Sequence, residues 1–203
     1  MNIKVDLIPK GRKRRPGIKN TIKYITIHNT GLKNVPADNF RRSCLDPSQD
    51  QEVSWHYTVD EKEIVQHIPD NEVAWHAGNR TGNYESIGIE ICERDGAEQK
   101  AIELIIYLMK KYNLDISKVR THKSWSGKNC PHLILPHWDQ FIKNINKELK
   151  KNNTIKIKIN DLLVDAEAVN IDGYNYVKLQ SLNSKYIEIL YDNVTKTPLI
   201  KTK

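Results

Sequence analysis

The 203 residues are 38% hydrophobic and 28% charged, the balance of a chain that folds around an apolar core, which excludes a disordered polymer. No apolar run reaches the ~20 residues that cross a bilayer, and the basic first seventeen residues lead into no apolar stretch of the kind a secretory signal needs. A net charge of +7 draws polyanions such as nucleic acid, anionic membrane or anionic wall polymers, without choosing among them.

In chain order, Lys10-Gly-Arg-Lys-Arg-Arg15 is a basic cluster of the type that contacts polyanions or forms a solvated arm. Thr21–His28 (TIKYITIH) is rich in β-branched residues and predicts a strand. Pro36–Leu45 predicts a short helix with proline in its first turn. Val53–Val59 and Glu63–Ile68 flank Asp60-Glu61-Lys62 and predict a hairpin, and Ser86–Cys92 (SIGIEIC) predicts another strand. Ala97–Tyr112 places Ile102, Ile105, Ile106, Met109 and Tyr112 on one helical stripe, and Pro136–Lys150 reads as a closing helix. Alternating strands and helices imply an α/β domain, a mixed central β-sheet flanked by helices.

The chemistry-bearing residues are unevenly spread. All seven His, three Cys and four Trp precede residue 139, and residues 1–153 hold +6 of the +7 charge. With the polar run Glu148–Thr154, this divides the chain into residues 1–153 and a small β-rich domain, 154–203. Ile155–Ile159 alternates with Lys, implying one wet face. Tyr174–Leu179 and Tyr186–Leu190 are further strand candidates, and Asp172-Gly173 offers a turn. About 50 residues is marginal for independent stability, so this part needs either packing on the first domain or self-association.

Three cysteines cannot all pair internally, which leaves metal binding, catalysis or burial. His28 ends a strand, while His122 and Cys130 frame the loop THKSWSGKNCPH. Two imidazoles and a thiolate leave a tetrahedral zinc ion one open position, as catalytic rather than structural sites do. Seven histidines allow many such triplets, so spacing by itself does not select this one. In the strand SIGIEIC, Gly88 and Glu90 face one way and Ile87, Ile89 and Ile91 the other, so the carboxylate can reach a cleft or simply meet solvent.

The segments ITIHNT, SWHYTVD, HIPDNEVAWHAGNRTGN, SIGIEIC and THKSWSGKNCPH fall in order over roughly residues 20–140. They resemble the zinc N-acetylmuramoyl-L-alanine amidases of the phage-lysin and peptidoglycan-recognition superfamily, above all lysins of phages of Gram-positive spore-formers. The resemblance implies Zn²⁺ held by His28, His122 and Cys130, Glu90 as general base and Lys128 as the group that stabilises the developing oxyanion. It implies cleavage of the bond between N-acetylmuramic acid and L-alanine in peptidoglycan. Another branch carries Tyr where this chain has Trp55. An indole offers no useful proton, so Trp55 is assigned to packing or to stacking on sugar, and His56 to structure. Trp75 and His76 are expected to line the substrate groove, with Asn79–Asn83 supplying polar groups, and Cys44 and Cys92 to be buried thiols.

Residues 157–200 faintly resemble the copper-amine-oxidase-like modules of clostridial wall proteins and imply wall binding, without copper, since this part has no His or Cys. The expected partners are peptidoglycan and anionic wall polymers, with no nucleic acid and no membrane span. The expected setting is a phage-encoded protein made in the host cytoplasm without a signal peptide and acting at the cell wall. The alternative is a recognition protein that binds peptidoglycan without cutting it, which Cys130 disfavours because non-catalytic members commonly lack that ligand.

Overall fold

The computed structural model describes residues 1–151, 154–159, 162–171, 174–183, 187–195 and 197–202. They form two compact units, Met1–Ile145 and Asn146–Lys203, so the division falls within the closing helix, a few residues before the polar run that marks it in sequence.

The first unit runs β1 (Lys4–Val5), β2 (Tyr24–Lys33), α1 (Ala37–Leu45), β3 (Tyr57–Val59), β4 (Ile64–Gln66), α2 (Arg80–Glu85), β5 (Ser86–Glu93), α3 (Ala97–Lys111), β6 (Val119–Thr121), α4 (Lys123–Ser126) and α5 (Trp138–Lys151), the last crossing into the second unit. Its sheet has the order β1-β4-β3-β5-β2-β6. Only β3 and β4 pair antiparallel; β5, β2, β6 and the remaining neighbours run parallel. The mixed sheet flanked by helices is the expected architecture. Ile25, Ile27, Ile87, Ile89 and Ile91 are fully buried, as strands covered on both faces require. α3 adds Ile102, Leu104, Ile105 and Leu108 to the core and packs on β5 and β3.

The hairpin strands are shorter than the sequence suggests. Ser54 and His56 spend backbone N–H groups on the Trp75 and Gly88 carbonyls, so the chain reaches regular pairing only at Tyr57. The basic cluster is also built into the fold rather than left as an arm. Arg14 and Arg15 are buried. Arg14 donates to the Gln49 and Val53 carbonyls, and Arg15 grips both Glu72 oxygens at 2.7 Å while donating to the Ile8 carbonyl. Arg12 bonds the Asp46 carbonyl and pairs with Asp50. Three of the cluster's four-residue run Arg12–Arg15 are thus consumed internally, which removes most of the proposed polyanion contact.

Asp70 is another buried charge that ties elements together. It accepts from the Tyr57 and Tyr112 hydroxyls, Gln66 and the Lys111 ammonium. Burial alone would raise its carboxyl, but these donors outweigh burial and hold it below the ordinary carboxylate value. A depressed folded-state pKa means stabilisation that is complete above the unfolded value near ~4 and fades as pH falls through the folded one. Asp70→Asn should therefore cost about 2 kcal/mol at pH 7, and the gap to the parent should narrow below pH ~4. Urea melts at pH 7 and pH 3 test this; an equal gap at both would show that the charge is not the stabilising feature.

The second unit holds an antiparallel sheet of β7 (Thr154–Ile159), β8 (Leu162–Ile171) and β9 (Tyr174–Val177), and a hairpin of β10 (Ile187–Asp192) with β11 (Thr197–Thr202). In β7, Lys156 and Lys158 are exposed between half-buried Ile155, Ile157 and Ile159, the expected one wet face. The predicted strand from Tyr174 ends at Val177 and gives way to a 3-10 turn at Leu179–Leu182. β8 and β11 went unread in the sequence. Residues such as Asp165, Ala166 and Glu167 are weak strand formers, but β8 pairs with neighbours on both sides, and context overrides propensity. The Asp172-Gly173 turn and the start of the Tyr186 strand lie outside the described residues. No helix among the described residues is long and apolar enough to cross a membrane.

Candidate metal centre and cleft

Three neighbouring parallel strands deliver the site: His28 and Glu90 stand midway along β2 and β5, and His122 just past the end of β6. β2 does not end at His28, as its sequence suggests, but runs on to Lys33. His28 of β2 stands opposite Glu90 of β5 in register. β6 pairs Thr121 with Ile27 and is followed at once by His122. After α4, Gly127 takes a left-handed φ of 78° that turns the chain back. The Lys123 N–H then bonds the Cys130 carbonyl at 2.9 Å. Asn29, next to His28, accepts from the Leu133 N–H at 3.0 Å, which pins the segment after Cys130 to β2.

His28, His122 and Cys130 are buried, and one potential ligand atom of each lies within 4.8 Å of the others. Cys130 Sγ is 3.8 Å from His28 Nδ1. His122 Nδ1 is buried with no hydrogen-bond partner among the described residues. A buried bare nitrogen costs free energy unless something binds it, so the donor set and its orphaned atom fit a metal ion. Burial lowers His28 well below its ordinary value, with further repulsion from His76, His122 and Lys128. It likewise lowers His122, and neutral imidazole is the ligating form. Burial pushes the Cys130 thiol up to about 11 against a backbone N–H from Asn29, a proton that a bound cation would displace.

Glu90 lies beside this cluster, its Oε1 3.9 Å from His28 Nδ1 and its side chain 15% exposed. Its Oε2 is buried without a partner among the described residues. Burial pushes the carboxyl up to about 8, opposed by the Lys128 charge and reinforced by that of Glu93.

An open cleft of about 500 Å³ adjoins the cluster, lined among others by Val53, Trp75, His76, Asn83, His122 and Lys128. Trp75, His76 and Lys128 line the cleft, whereas Asn79 and Trp55 turn to other partners, Trp55 taking the packing alternative of the two its sequence left open. Asn79 spends its side chain capping α2 through the Gly82 N–H, while Asn83 accepts from the His76 and Ala77 N–H groups and fixes the cleft wall. Trp55 donates to Thr58 Oγ1 at 2.7 Å and packs on Ile8, Cys44, Ile68 and Ala74, so its indole serves packing rather than the cleft. His56 is also committed: Nδ1 accepts from the Gly88 N–H at 2.9 Å and Nε2 donates to the Glu72 carbonyl at 2.9 Å. Cys44 and Cys92 are buried free thiols, pushed up to about 12 by burial.

The sequence matches the N-acetylmuramoyl-L-alanine amidase family, Amidase_2, over residues 18–133. The chain belongs to this family. Among amidases, it is 47% identical over 148 residues to XlyA of Bacillus subtilis (strain 168), covering 70% of this chain and 50% of XlyA. It is 44% identical over 153 residues to CwlH of the same organism, covering 71% of this chain and 61% of CwlH. The chain therefore spans about half to three fifths of these curated relatives. The solved catalytic domain of XlyA superposes with a TM-score of 0.68 at 45% identity, covering 71% of this chain and 99% of that domain. All five segments that suggested the amidase family in the sequence lie wholly or almost wholly inside the matched span.

Proposed function

We propose that this protein is a zinc peptidoglycan hydrolase that cuts the amide between the lactyl group of N-acetylmuramic acid and L-alanine. The convergence of two imidazoles and a thiolate beside a buried carboxyl carries this reading, and membership in an amidase family supports it. His28, His122 and Cys130 would hold the ion. When bound, zinc supplies Lewis acidity that acidifies water and polarises a carbonyl.

The chain's own groups do the rest. Glu90 takes a proton from the attacking water as oxygen adds to the lactyl carbonyl carbon. It returns that proton to the alanine nitrogen as the C–N bond breaks, leaving a carboxylate and a free amine. The Lys128 charge favours the carboxylate that takes the proton, and burial favours holding it between those steps. Lys128, on the cleft wall, faces the negative charge that develops on the carbonyl oxygen. Trp75 offers a flat apolar surface to sugar or peptide. The β-rich residues 154–203 are proposed to keep the enzyme on its polymer, through anionic wall components or self-association, and the place of action is the bacterial cell wall, as for a phage lysin.

Purified protein incubated with Gram-positive cell walls should release N-terminal alanine without new reducing sugar ends. A chelator should stop the release and added zinc restore it. Protein that co-sediments with every wall type yet frees no alanine would instead be a recognition protein, and Glu90 and Lys128 would lose their roles.

A further inference from the structure

His76 lies behind His28, against the ring nitrogen turned away from Cys130, without belonging to the cluster. Its Nδ1 is 3.0 Å from His28 Nε2, and the question is which ring carries the proton between them. The surrounding hydrogen bonds answer it. Ser86 donates its hydroxyl proton to the Gly82 carbonyl at 2.6 Å, and a carbonyl can only accept. Thr26 Oγ1 receives the Trp125 indole N–H at 2.9 Å, so its own proton goes to Ser86 Oγ at 2.8 Å. Ser86 Oγ therefore has only a lone pair left for His76 Nε2, 3.4 Å away. Nε2 of His76 must carry the hydrogen. In a neutral ring Nδ1 is then an acceptor, so His28 donates from Nε2, and His28 Nδ1 is left bare, facing Cys130 Sγ.

The backbone is shaped to admit this ring. A Cβ at position 88 would stand 2.7 Å from His76 Cγ, closer than any side chain tolerates, so only glycine lets the imidazole lie on β5. The adjoining Gly88 N–H is held by His56, whose other nitrogen bonds Glu72, itself clamped by Arg15. Arg15 of the N-terminal cluster thus braces the strand on which His76 rests.

We propose that His76 is a positioning residue of the metal centre, fixing His28 in the tautomer that presents Nδ1 to the cation. This rests on the metal reading above. Partners that orient a ligating histidine typically change metal affinity by ~10–100-fold.

The test begins with metal-free, ¹⁵N-labelled protein. Long-range ¹H–¹⁵N correlation should show His28 protonated at Nε2 and His76 protonated at Nε2. His28 protonated at Nδ1 would overturn the proposal. Zinc affinity, measured by competition with a chromogenic chelator, should fall ~10–100-fold in His76→Leu, which keeps bulk but offers no acceptor. His76→Asn restores an acceptor oxygen near the Nδ1 position and should recover most of the affinity. Gly88→Ala should reproduce the deficit by displacing the ring. Leucine and asparagine variants that are both folded and bind zinc as tightly as the parent would overturn the proposal. A parent protein that binds no zinc at all would overturn the metal reading instead, and the metal-free tautomer measurement keeps the two failures apart.

Discussion

Cys130→Ser should abolish measurable alanine release and leave the protein folded. The substitution is close to isosteric, and the Asn29 N–H that reaches the sulfur can bond a hydroxyl as well, so the site should not collapse. What disappears is the thiolate. A serine hydroxyl does not ionise under these conditions, so the remaining set is two neutral imidazoles with no charge to balance a divalent cation and no soft donor to select zinc. Losing a ligand should weaken zinc binding by more than the ~10–100-fold typical of an outer partner. Zinc content after dialysis and chelator competition read the effect directly. Full zinc retention with lost activity would mean that Cys130 acts in some way other than as a ligand. His122→Ala should behave similarly in binding, since its Nδ1 has no other partner among the described residues.

How much of this was legible in the sequence follows from what kind of information each feature needs. β2 and β5 could be read because strands buried on both faces appear as near-continuous runs of Ile and Thr. The end of β2 was not legible at His28, because the strand continues to Lys33 past a register shift after Asn29. The cluster of His28, His122 and Cys130 could be named from its motifs, but only the parallel order β5-β2-β6 makes its convergence physical. Other features depend on partners distant in the chain. Nothing in Lys10–Arg15 announces that Arg15 meets Glu72, 57 residues away, or that Arg14 caps carbonyls at 49 and 53. A basic run therefore read as a surface patch although most of it is a clamp. The same limit hid the link between His76 and His28, 48 residues apart. Gly88 was legible as sharing the face of Glu90, but not which ring lies against it. Asn79 precedes one short helix and Asn83 lies within it, yet the two look equivalent in sequence. Capping geometry separates them, because the residue before the first turn is the one whose side chain the helix N-terminus claims. Short strands such as β6, and the weak formers of β8, are decided by pairing rather than by propensity.

Glu90→Gln should lower the turnover number by ~10²–10⁴-fold while leaving zinc stoichiometry intact. The amide matches the carboxyl in size and can still sit beside His28, but it cannot take a proton from water and return it to the alanine nitrogen. Its stability effect should run the other way. Burial raises the Glu90 carboxyl to about 8, above its unfolded value near ~4.3. A carboxyl raised on folding supports the native state below the unfolded pKa, and that support is lost as pH rises through the folded one. In the metal-free protein at neutral pH and above, Glu90 therefore opposes folding, and the glutamine variant should melt at a higher temperature than the parent. The difference should shrink as pH is lowered towards ~4. A residue kept only for structure would lose stability when replaced. Loss of turnover together with a pH-dependent gain in melting temperature is the signature of a group retained for its chemistry at a cost to the fold. Unchanged turnover would remove Glu90 from the proton path, and a lower melting temperature would recast it as a structural hydrogen-bond acceptor.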